Sequence, residues 1–408
     1  MNETLNEVSD GSRAEMHEIP PSLDHLLELA HSVGAQAERK SDEAERNRRT
    51  DDTVVYALIE SGLMKVLRPL RFRGYESGFP AFVRVGQILA HYDVSVAWLY
   101  GIIGVHHWWG AYAEPRLQDE LWRDNPDSVF VDSFNPTGKA EPVHGGFRLS
   151  GRWGFQSGLP WAEWSSVGAI TPFEAGAAPE YLMLFVPKRD YRIVDDWYTL
   201  GLRGSASASI EVDDVFVPRH RAFRLAETIK TGKAPGQAYN PGPLFKVPFA
   251  AGLCISLVPP SLGGAQAVAQ RFREAAKLRV PVFQIRQAEL VYSQTILAEC
   301  MLTLETLEHL LYRNADELMD FGRGSKETDP LAQIRLFGCR AYIARQSREV
   351  VDKLMDLAGS RSIFEDNPLQ RFWRDVHAMG QHVALNYEAA MRNYGRVLMG
   401  LEPDAQIY

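Results

Sequence analysis

The sequence predicts an α+β protein with a helical N-terminal domain (residues 1–127), a central β-domain (128–240) and a C-terminal helical bundle (241–408). Helix caps and apolar stripes at three- and four-residue spacing fill the first part. Six short runs rich in β-branched and aromatic residues, separated by turn residues, fill the middle. Long stretches without proline or glycine follow. Because the strands lie together between two helical blocks, a parallel sheet of βαβ units is disfavoured.

The composition is that of a folded, acidic protein. The chain has 408 residues, 45% of them hydrophobic, and a formal net charge of −8. Without a block of Lys or Arg, it is a poor candidate for binding nucleic acid or an anionic membrane. The first twenty residues are polar and acidic, which argues against a signal peptide, and the three cysteines are too widely spaced for a disulfide framework. We therefore expect a cytoplasmic protein.

The N-terminal helices are marked by their caps. Ser22 can cap a first helix, and Asp51 or Asp52 a second one that ends near Gly62. A third, apolar helix is predicted over roughly Phe82–Tyr112. These signals define the helical N-terminal domain.

The central runs predict a compact antiparallel sandwich or barrel. They cover Ser128–Phe134, Gly146–Phe155, Trp164–Ile170, Tyr181–Val186, Tyr191–Trp197 and Ser209–Val217.

The C-terminal part of the sequence is predicted to form long helices. Val247–Gln270 carries no charge, but its Pro259-Pro260 pair indicates two buried helices with a break rather than a membrane span. Further helices are predicted over Phe283–Phe321, from Asp329-Pro330, and from Asn367-Pro368 to about Gly400. Together they predict a helical bundle.

Several standard active-site motifs are missing from the sequence. It contains no GxGxxG, no GxxxxGK[ST], no HExxH and no GxSxG, and its eleven histidines form no cluster at metal-ligand spacing. The sequence therefore argues against a dinucleotide-binding protein, a kinase, a zinc enzyme and a serine hydrolase. No metal site is predicted.

Two histidine segments carry candidate chemistry. In AWLYGIIGVHHWWGAY (97–112), Trp98, Ile102 and His106 share a helical stripe, so His106 is either a core residue or faces an aromatic-lined cavity. In RFWRDVHAMGQH (371–382), His382 lies beside the apolar stripe, a position that suits a pocket edge or solvent equally. The nearby Arg371, Arg374 and Asp375 would ordinarily form a helix-surface ion network.

Two further segments end or begin strands of the β-region. GRWGFQSG places Ser157 just past an aromatic strand, and GLRGSASAS (201–209) is a Gly/Ser loop before another strand. Both segments can be ordinary turns. Alternatively, their serine side chains and backbone N–H groups can bind the polar edge of a flat ring.

Four motifs in this order resemble the acyl-CoA dehydrogenase superfamily. They are WLYGIIGVHHW, SGRWGFQSG, WYTLGLRGSASASIEVDDVFVPRHR and QRFWRDVH with the following His382. Within that superfamily they are similar to the oxygenase components of two-component flavin-dependent monooxygenases, such as 4-hydroxyphenylacetate 3-hydroxylase. The resemblance implies an acyl-CoA dehydrogenase-like fold, with an α-helical domain, a β-barrel domain and a four-helix bundle, assembled as a homotetramer. A separate NAD(P)H-dependent reductase would supply reduced FMN or FAD, and O2 would be the co-substrate.

The same resemblance implies roles for single residues. Ser157 would bond flavin N5 and protect a C4a-hydroperoxide, and His382 would face flavin and substrate as the catalytic base for a phenol. His106, Ser133 and Trp98 would line the substrate side. Phe155, Gly359 and Arg279 would contact the flavin ring or phosphate.

Position 383 separates branches of the superfamily. Many acyl-CoA dehydrogenases have a carboxylate base about eight residues after the Arg-Asp pair, where this chain has Val383. The favoured activity is hydroxylation of a phenolic or other aromatic substrate. An oxygenase acting on nitrogen or sulfur, an FAD-dependent acyl-CoA dehydrogenase and a non-catalytic helical binding protein stay open as alternatives.

Overall fold

The computed structural model describes residues 20–174, 176–281, 285–327 and 329–404. The N-terminal residues considered for a targeting signal and Phe283, where a helix was expected to begin, lie outside these ranges, apart from Pro20. Strands occur between Phe130 and Arg224, with helices before and after them. The division at residues 127 and 240 stays a prediction.

Five helices precede the first strand. Their bounds are α1 Leu23–Asn47, α2 Asp52–Glu60, α3 Phe79–Tyr92, α4 Val94–Gly110 and α5 Pro115–Trp122. The Ser22 cap is confirmed by its bond from the backbone N–H of His25, and Asp51 caps α2 through that of Thr53. The single helix expected over 82–112 is wrong: Asp93 is extended and accepts the N–H of Val96, which ends α3 and starts α4.

The central strands form one seven-stranded sheet in the described residues. Their bounds are β1 Phe130–Val143, β2 Gly146–Gln156, β3 Trp164–Pro172, β4 Pro179–Pro187, β5 Arg192–Val194, β6 Ala208–Pro218 and β7 Ala222–Arg224. The strand order is β5-β6-β2-β1-β3-β4-β7. The short strand β7 was not expected from the sequence.

Strand β1 divides the sheet into two halves. Phe130–Ser133 pair with β3, and after an irregularity Lys139–Val143 pair with β2. The β1–β3 pairing is parallel, so the expected fully antiparallel arrangement is wrong at this pair, whereas the other described pairings are antiparallel. Among the described strands, β5 and β7 stand at the two ends of this order.

The remaining helices follow β7. Their bounds are α6 Leu225–Thr231, α7 Phe249–Ile255, α8 Val258–Leu278, α9 Val291–Arg323, α10 Pro330–Ala358, α11 Pro368–Met379 and α12 Tyr387–Leu398. The break in the uncharged segment precedes the two prolines, because Pro259 and Pro260 occupy the first turn of α8, where no N–H is needed. The stretch Phe249–Leu278 is apolar and long enough to cross a membrane, but 83% of its most apolar window is buried in the protein.

The last predicted helix is interrupted. Residues 380–386 leave the helix between α11 and α12, and Asn386 caps α12 by accepting the N–H of Ala389. His382 therefore lies in a short connection and not on a helix face.

Helix α4 is pressed between the sheet and the helices. The buried Trp109 ring contacts aromatic rings from β1, β4, β7 and α7, namely Phe130, Phe134, Phe185, Phe223 and Phe249. Helix α8 packs against α3, α4, α9, α10 and α11. Apolar burial of this extent fixes the position of α4 against β1.

Candidate active site

Helix α4 forms one wall of the candidate site. Every residue of α4 is buried except Ile102, which is partly exposed. Trp98 and His106 lie one turn before and one turn after it on the same stripe, and eight residues of α-helix span about 12 Å. The opening over Ile102 is therefore flanked by an indole on one side and an imidazole on the other.

Ser157 follows β2 and faces this wall. The indole N–H of Trp98 donates to Ser157 Oγ at 2.9 Å. Ser157 Oγ also lies 2.9 Å from Ser207 Oγ, and Ser205 Oγ lies 2.7 Å from Ser207 Oγ. All three serines are buried. The second and third serines come from the 201–207 loop, whose part in the site the sequence left open as a turn.

Gly158 permits the close approach of Ser157 to α4. Its φ is +80°, and a Cβ at this position would come within 2.8 Å of Ile103 Cδ1. A side chain here would be strained by its backbone conformation and would clash with the helix. The glycine after Ser157 is thus explained by packing.

His382 reaches the same tryptophan from the α11–α12 connection. The rings of Trp98 and His382 are 5.8 Å apart and edge to face. His382 Nδ1 accepts the backbone N–H of Ala384 at 3.2 Å. Burial, together with the positive charge of Arg340, lowers the pKa of His382 to about 4, although Asp132 opposes this. The ring is therefore neutral at pH 7 with its proton on Nε2.

His106 at the other end of the stripe is held by β1. Its Nδ1 lies 2.8 Å from the carbonyl oxygen of Phe130, and Nε2 lies 2.9 Å from Asp132 Oδ2. The His106 ring also stacks on Phe130. His106 was named from the sequence; Asp132 was not.

Ser133 was the β1 residue expected on the substrate side. It is buried, but side chains alternate along a strand, and Phe130 and Asp132 are the ones that meet α4. At this part of β1 the alternation directs Ser133 to the opposite face. Its expected role stays a prediction, and Asp132 occupies the position next to His106.

Phe155 lies in an irregular part of β2. The register with β6 shifts between Trp153 and Gln156, and Phe155 has φ +64° with 78% of its surface exposed. Its ring meets that of Trp197 edge to face at 6.0 Å. A strained, exposed aromatic two residues before Ser157 suits the apolar face of a flat ring.

Arg279 and Gly359 form a second cluster. Arg279 Nη1 donates to Leu357 O at 2.9 Å, and a Cβ at Gly359 would lie 1.7 Å from Arg279 Nη2. Gly264 of α8 contacts Val94 near the start of α4, whereas Arg279 lies fifteen residues further along, about 22 Å at the helical rise. The cluster is therefore remote from Trp98 within one chain.

The Arg371, Arg374 and Asp375 group is not the surface network expected from the sequence. Arg371 and Asp375 are buried. Arg371 donates to Ser41 Oγ and Asp42, and Asp375 accepts the backbone N–H of Leu202 at 2.6 Å. Helix α11 is thereby tied to α1 and to the 201–207 loop that carries Ser205 and Ser207.

Asp375 should make stability depend on pH. Burial, reinforced by the negative charges of Asp93 and Glu45, raises its pKa to about 7. Its protonated form is favoured in the folded state, so this contribution is full below about pH 4 and is lost as pH rises through 7. Asp375→Asn, which keeps an oxygen for Leu202, should be more stable than the wild type at pH 8 by at most about 4 kcal/mol.

Urea unfolding of both proteins from pH 5 to pH 8 measures this difference. Asp213→Asn, at an exposed carboxylate of β6, is the control and should follow the wild type. Equal pH slopes for Asp375→Asn and the wild type would contradict the assignment.

The described site brings a small set of polar groups together along the apolar wall formed by α4. Ser157 provides a hydroxyl fixed by an indole, His382 provides a ring N–H, and the His106–Asp132 pair provides a carboxylate. The sequence did contain a pattern that could have predicted the position of Asp132. Side chains alternate along the FVDSF segment of β1, so Phe130, Asp132 and Phe134 lie on one face. Such a set can orient an aromatic ring and move a proton, but it includes no nucleophile paired with a base.

Comparison with known proteins identifies similar chains. The family model "Acyl-CoA dehydrogenase, C-terminal domain" matches residues 255–387. The FADH(2)-dependent resorcinol hydroxylase oxygenase component of Rhizobium sp. (strain MTP-10005) is 30% identical, over 89% of this chain and 91% of that protein. The p-hydroxyphenylacetate 3-hydroxylase oxygenase component of Acinetobacter baumannii is 31% identical, over 93% and 90%. The crystal structure of the HsaA monooxygenase from M. tuberculosis superposes with a TM-score of 0.89 at 27% identity, over 95% and 100% of the two chains.

Proposed function

Because this chain belongs to the oxygenase components of flavin-dependent hydroxylases, which have the acyl-CoA dehydrogenase fold, we propose that it hydroxylates an aromatic ring that carries a hydroxyl group. The similar proteins named above are hydroxylases of resorcinol and of p-hydroxyphenylacetate. The main support for the proposal is that Ser157 and His382 both contact Trp98.

The residues present fit a flavin ring. Phe155 offers an exposed aromatic face next to the partly buried Trp197. Ser157 has a hydroxyl hydrogen that can point to a ring nitrogen when Ser207 donates to Ser157. We propose that Ser157 bonds flavin N5 and that Phe155 contacts the ring. A bound reduced flavin, with O2, supplies the oxygen atom that is transferred.

The protein side of the reaction is positioning and proton control. Ser157, held by Trp98 and with its O–H turned toward Ser207, would accept the N–H at N5 and so keep that proton in place. His382 would donate its Nε2–H to the oxygen of the substrate, which lies over Ile102 between Trp98 and His106. This differs from the expected base, because Nδ1 of His382 is already occupied by the N–H of Ala384. Burial of Trp98, Trp108 and Trp109 excludes water from this wall.

The assembly is proposed to be a homotetramer. Phe155, Tyr198, Leu200 and Ile363 are all more than half exposed, which is unusual for large apolar side chains in a monomer. The Arg279–Gly359 cluster, remote from Trp98 in its own chain, would then contact the flavin phosphate of a neighbouring subunit. Multi-angle light scattering measures the assembly.

The reduced flavin is proposed to come from a separate NAD(P)H-dependent reductase, since the relatives are named as oxygenase components. A cytoplasmic location agrees with three unpaired cysteines.

The proposed function is tested with chemically reduced FMN and FAD, O2 and a panel of phenols that includes resorcinol and 4-hydroxyphenylacetate. We expect a hydroxylated product from at least one phenol and little hydrogen peroxide. Flavin oxidation that gives only peroxide with every phenol would overturn the proposal.

Ser157→Ala should uncouple the reaction. Loss of one buried hydrogen bond of about 1–3 kcal/mol corresponds to a roughly 5- to 150-fold lower ratio of product to peroxide. The ratio is measured by product chromatography and a peroxide assay. Ser347→Ala, at a buried serine of α10, is the matched control, and a ratio unchanged in Ser157→Ala would remove Ser157 from this role.

A further inference from the structure

The His106 end of the α4 stripe lies beside a carboxylate, that of Asp132, to which no role has yet been assigned. Asp132 lies on the face of β1 that meets α4, and its only polar contact in the described residues is His106. The 2.9 Å contact has the distance of an ion pair without the alignment of a full hydrogen bond, so Asp132 Oδ2 is buried but not fully satisfied. About 11% of the side chain stays exposed. The carboxylate therefore keeps the capacity to accept a further proton or hydrogen bond.

His106 is suited to hold this carboxylate. Its Nδ1 faces the carbonyl oxygen of Phe130, an acceptor, so Nδ1 carries a hydrogen. Its Nε2 faces Asp132 Oδ2, a second acceptor. Acceptors therefore face both ring nitrogens, which fixes the His106 ring between the backbone of β1 and the carboxylate of Asp132. The ring thereby orients the carboxylate, whose remaining lone pairs can accept a further hydrogen.

The groups around Asp132 come from four other elements. They are His106 of α4, Tyr181 of β4, His382 of the α11–α12 connection and Arg340 of α10, which acts on His382. Burial raises the pKa of Tyr181, and the charge of Asp132 raises it further. Neutral Tyr181 and neutral His382 can donate but are poor proton acceptors, which leaves Asp132 as the anionic group of this set.

We propose that Asp132, held by His106, is the base that takes the hydroxyl proton of a phenolic substrate whose ring lies over Ile102. This rests on the proposed function. The O–H bond of the phenol breaks, an O–H bond forms on the Asp132 carboxylate, and the electron pair stays on the phenolic oxygen. His382 donates its Nε2–H to that oxygen. The phenolate raises electron density at the neighbouring ring carbon, and the site selects phenols over aromatic rings without a hydroxyl.

The test measures ionisation of a bound phenol without flavin. 4-Nitrophenol is titrated with wild-type protein below the solution pKa of the phenol, and the difference absorbance reports phenolate. We expect phenolate on the wild type and on Asp213→Asn, and neutral phenol on Asp132→Asn and Asp132→Ser. Two variants are used so that a folding failure of one, checked by circular dichroism, does not remove the test. Phenolate on both Asp132 variants, or its absence from the wild type, would overturn the proposal.

Turnover gives a second, independent readout. With reduced flavin, Asp132→Asn should hydroxylate phenol about 10²–10⁴-fold more slowly, and the loss should shrink with fluorinated, more acidic phenols that ionise unaided. An equal loss for all phenols would overturn the base role. If the wild type ionises bound 4-nitrophenol but hydroxylates no phenol, the base stands and the proposed function fails.

Discussion

Replacement of His382 with alanine is expected to lower the rate of phenol hydroxylation by about 10²–10⁴-fold. The neutral ring presents an N–H at Nε2, since Nδ1 accepts the N–H of Ala384. Without this donor, negative charge on the substrate oxygen loses a hydrogen bond beside the buried Trp98. Oxidation of reduced flavin should continue, and the lost product should appear as hydrogen peroxide. Single-turnover product analysis measures the effect.

The variant His382→Gln separates a donor from a base. A glutamine amide can donate but cannot accept a proton, so it should recover part of the rate if His382 acts as a donor. Val383→Ala, at the exposed neighbour, is the control. Because the pKa of His382 is about 4, its protonation should not change the rate between pH 6 and pH 8. Equal losses in the alanine and glutamine variants would contradict the donor role.

Replacement of Arg68 with methionine is expected to reduce the free energy of unfolding by about 3–5 kcal/mol. Arg68 is fully buried and donates to His107 Nε2 at 2.9 Å, to Ser128 O at 3.1 Å and to Pro126 O. Methionine fills similar space but leaves these acceptors without a donor. Urea unfolding measures the change.

Arg68 also affects the site, because the carbonyls that it binds precede β1. A loosened start of β1 would move Phe130, which stacks on His106. Arg68→Met should therefore also weaken phenol binding. Arg116→Met, at an exposed position of α5, is the control and should unfold like the wild type. A similarly small change in both variants would contradict the structural role of Arg68.

The sequence was sufficient where the signals are local. Caps at Ser22 and Asp51, the grouping of strands between helices, and the stripe of Trp98, Ile102 and His106 all depend on neighbouring residues. The resemblance to a known family implied that Ser157 and His382 belong to one site. Both residues contact Trp98 in the structure.

The features that were missed depend on distant contacts. The parallel pairing of β1 with β3 and the burial of Asp375 under Leu202 join segments far apart in sequence. The connection at 380–386 is an exception, because its His382 and Asn386 caps are local; it was missed because it contains no proline to mark the break. Asp132 was overlooked because its partner His106 is 26 positions away.

The row of hydroxyls from Ser205 through Ser207 to Ser157 can reverse its polarity. Each hydroxyl both donates and accepts, whereas the indole at the end of the row only donates. Rotation of three O–H bonds, with no heavy atom displaced, therefore converts Ser157 from a group that gives a hydrogen bond to the ring above it into one that receives it. One rigid framework can thus serve two successive charge states of a bound molecule during a single catalytic cycle.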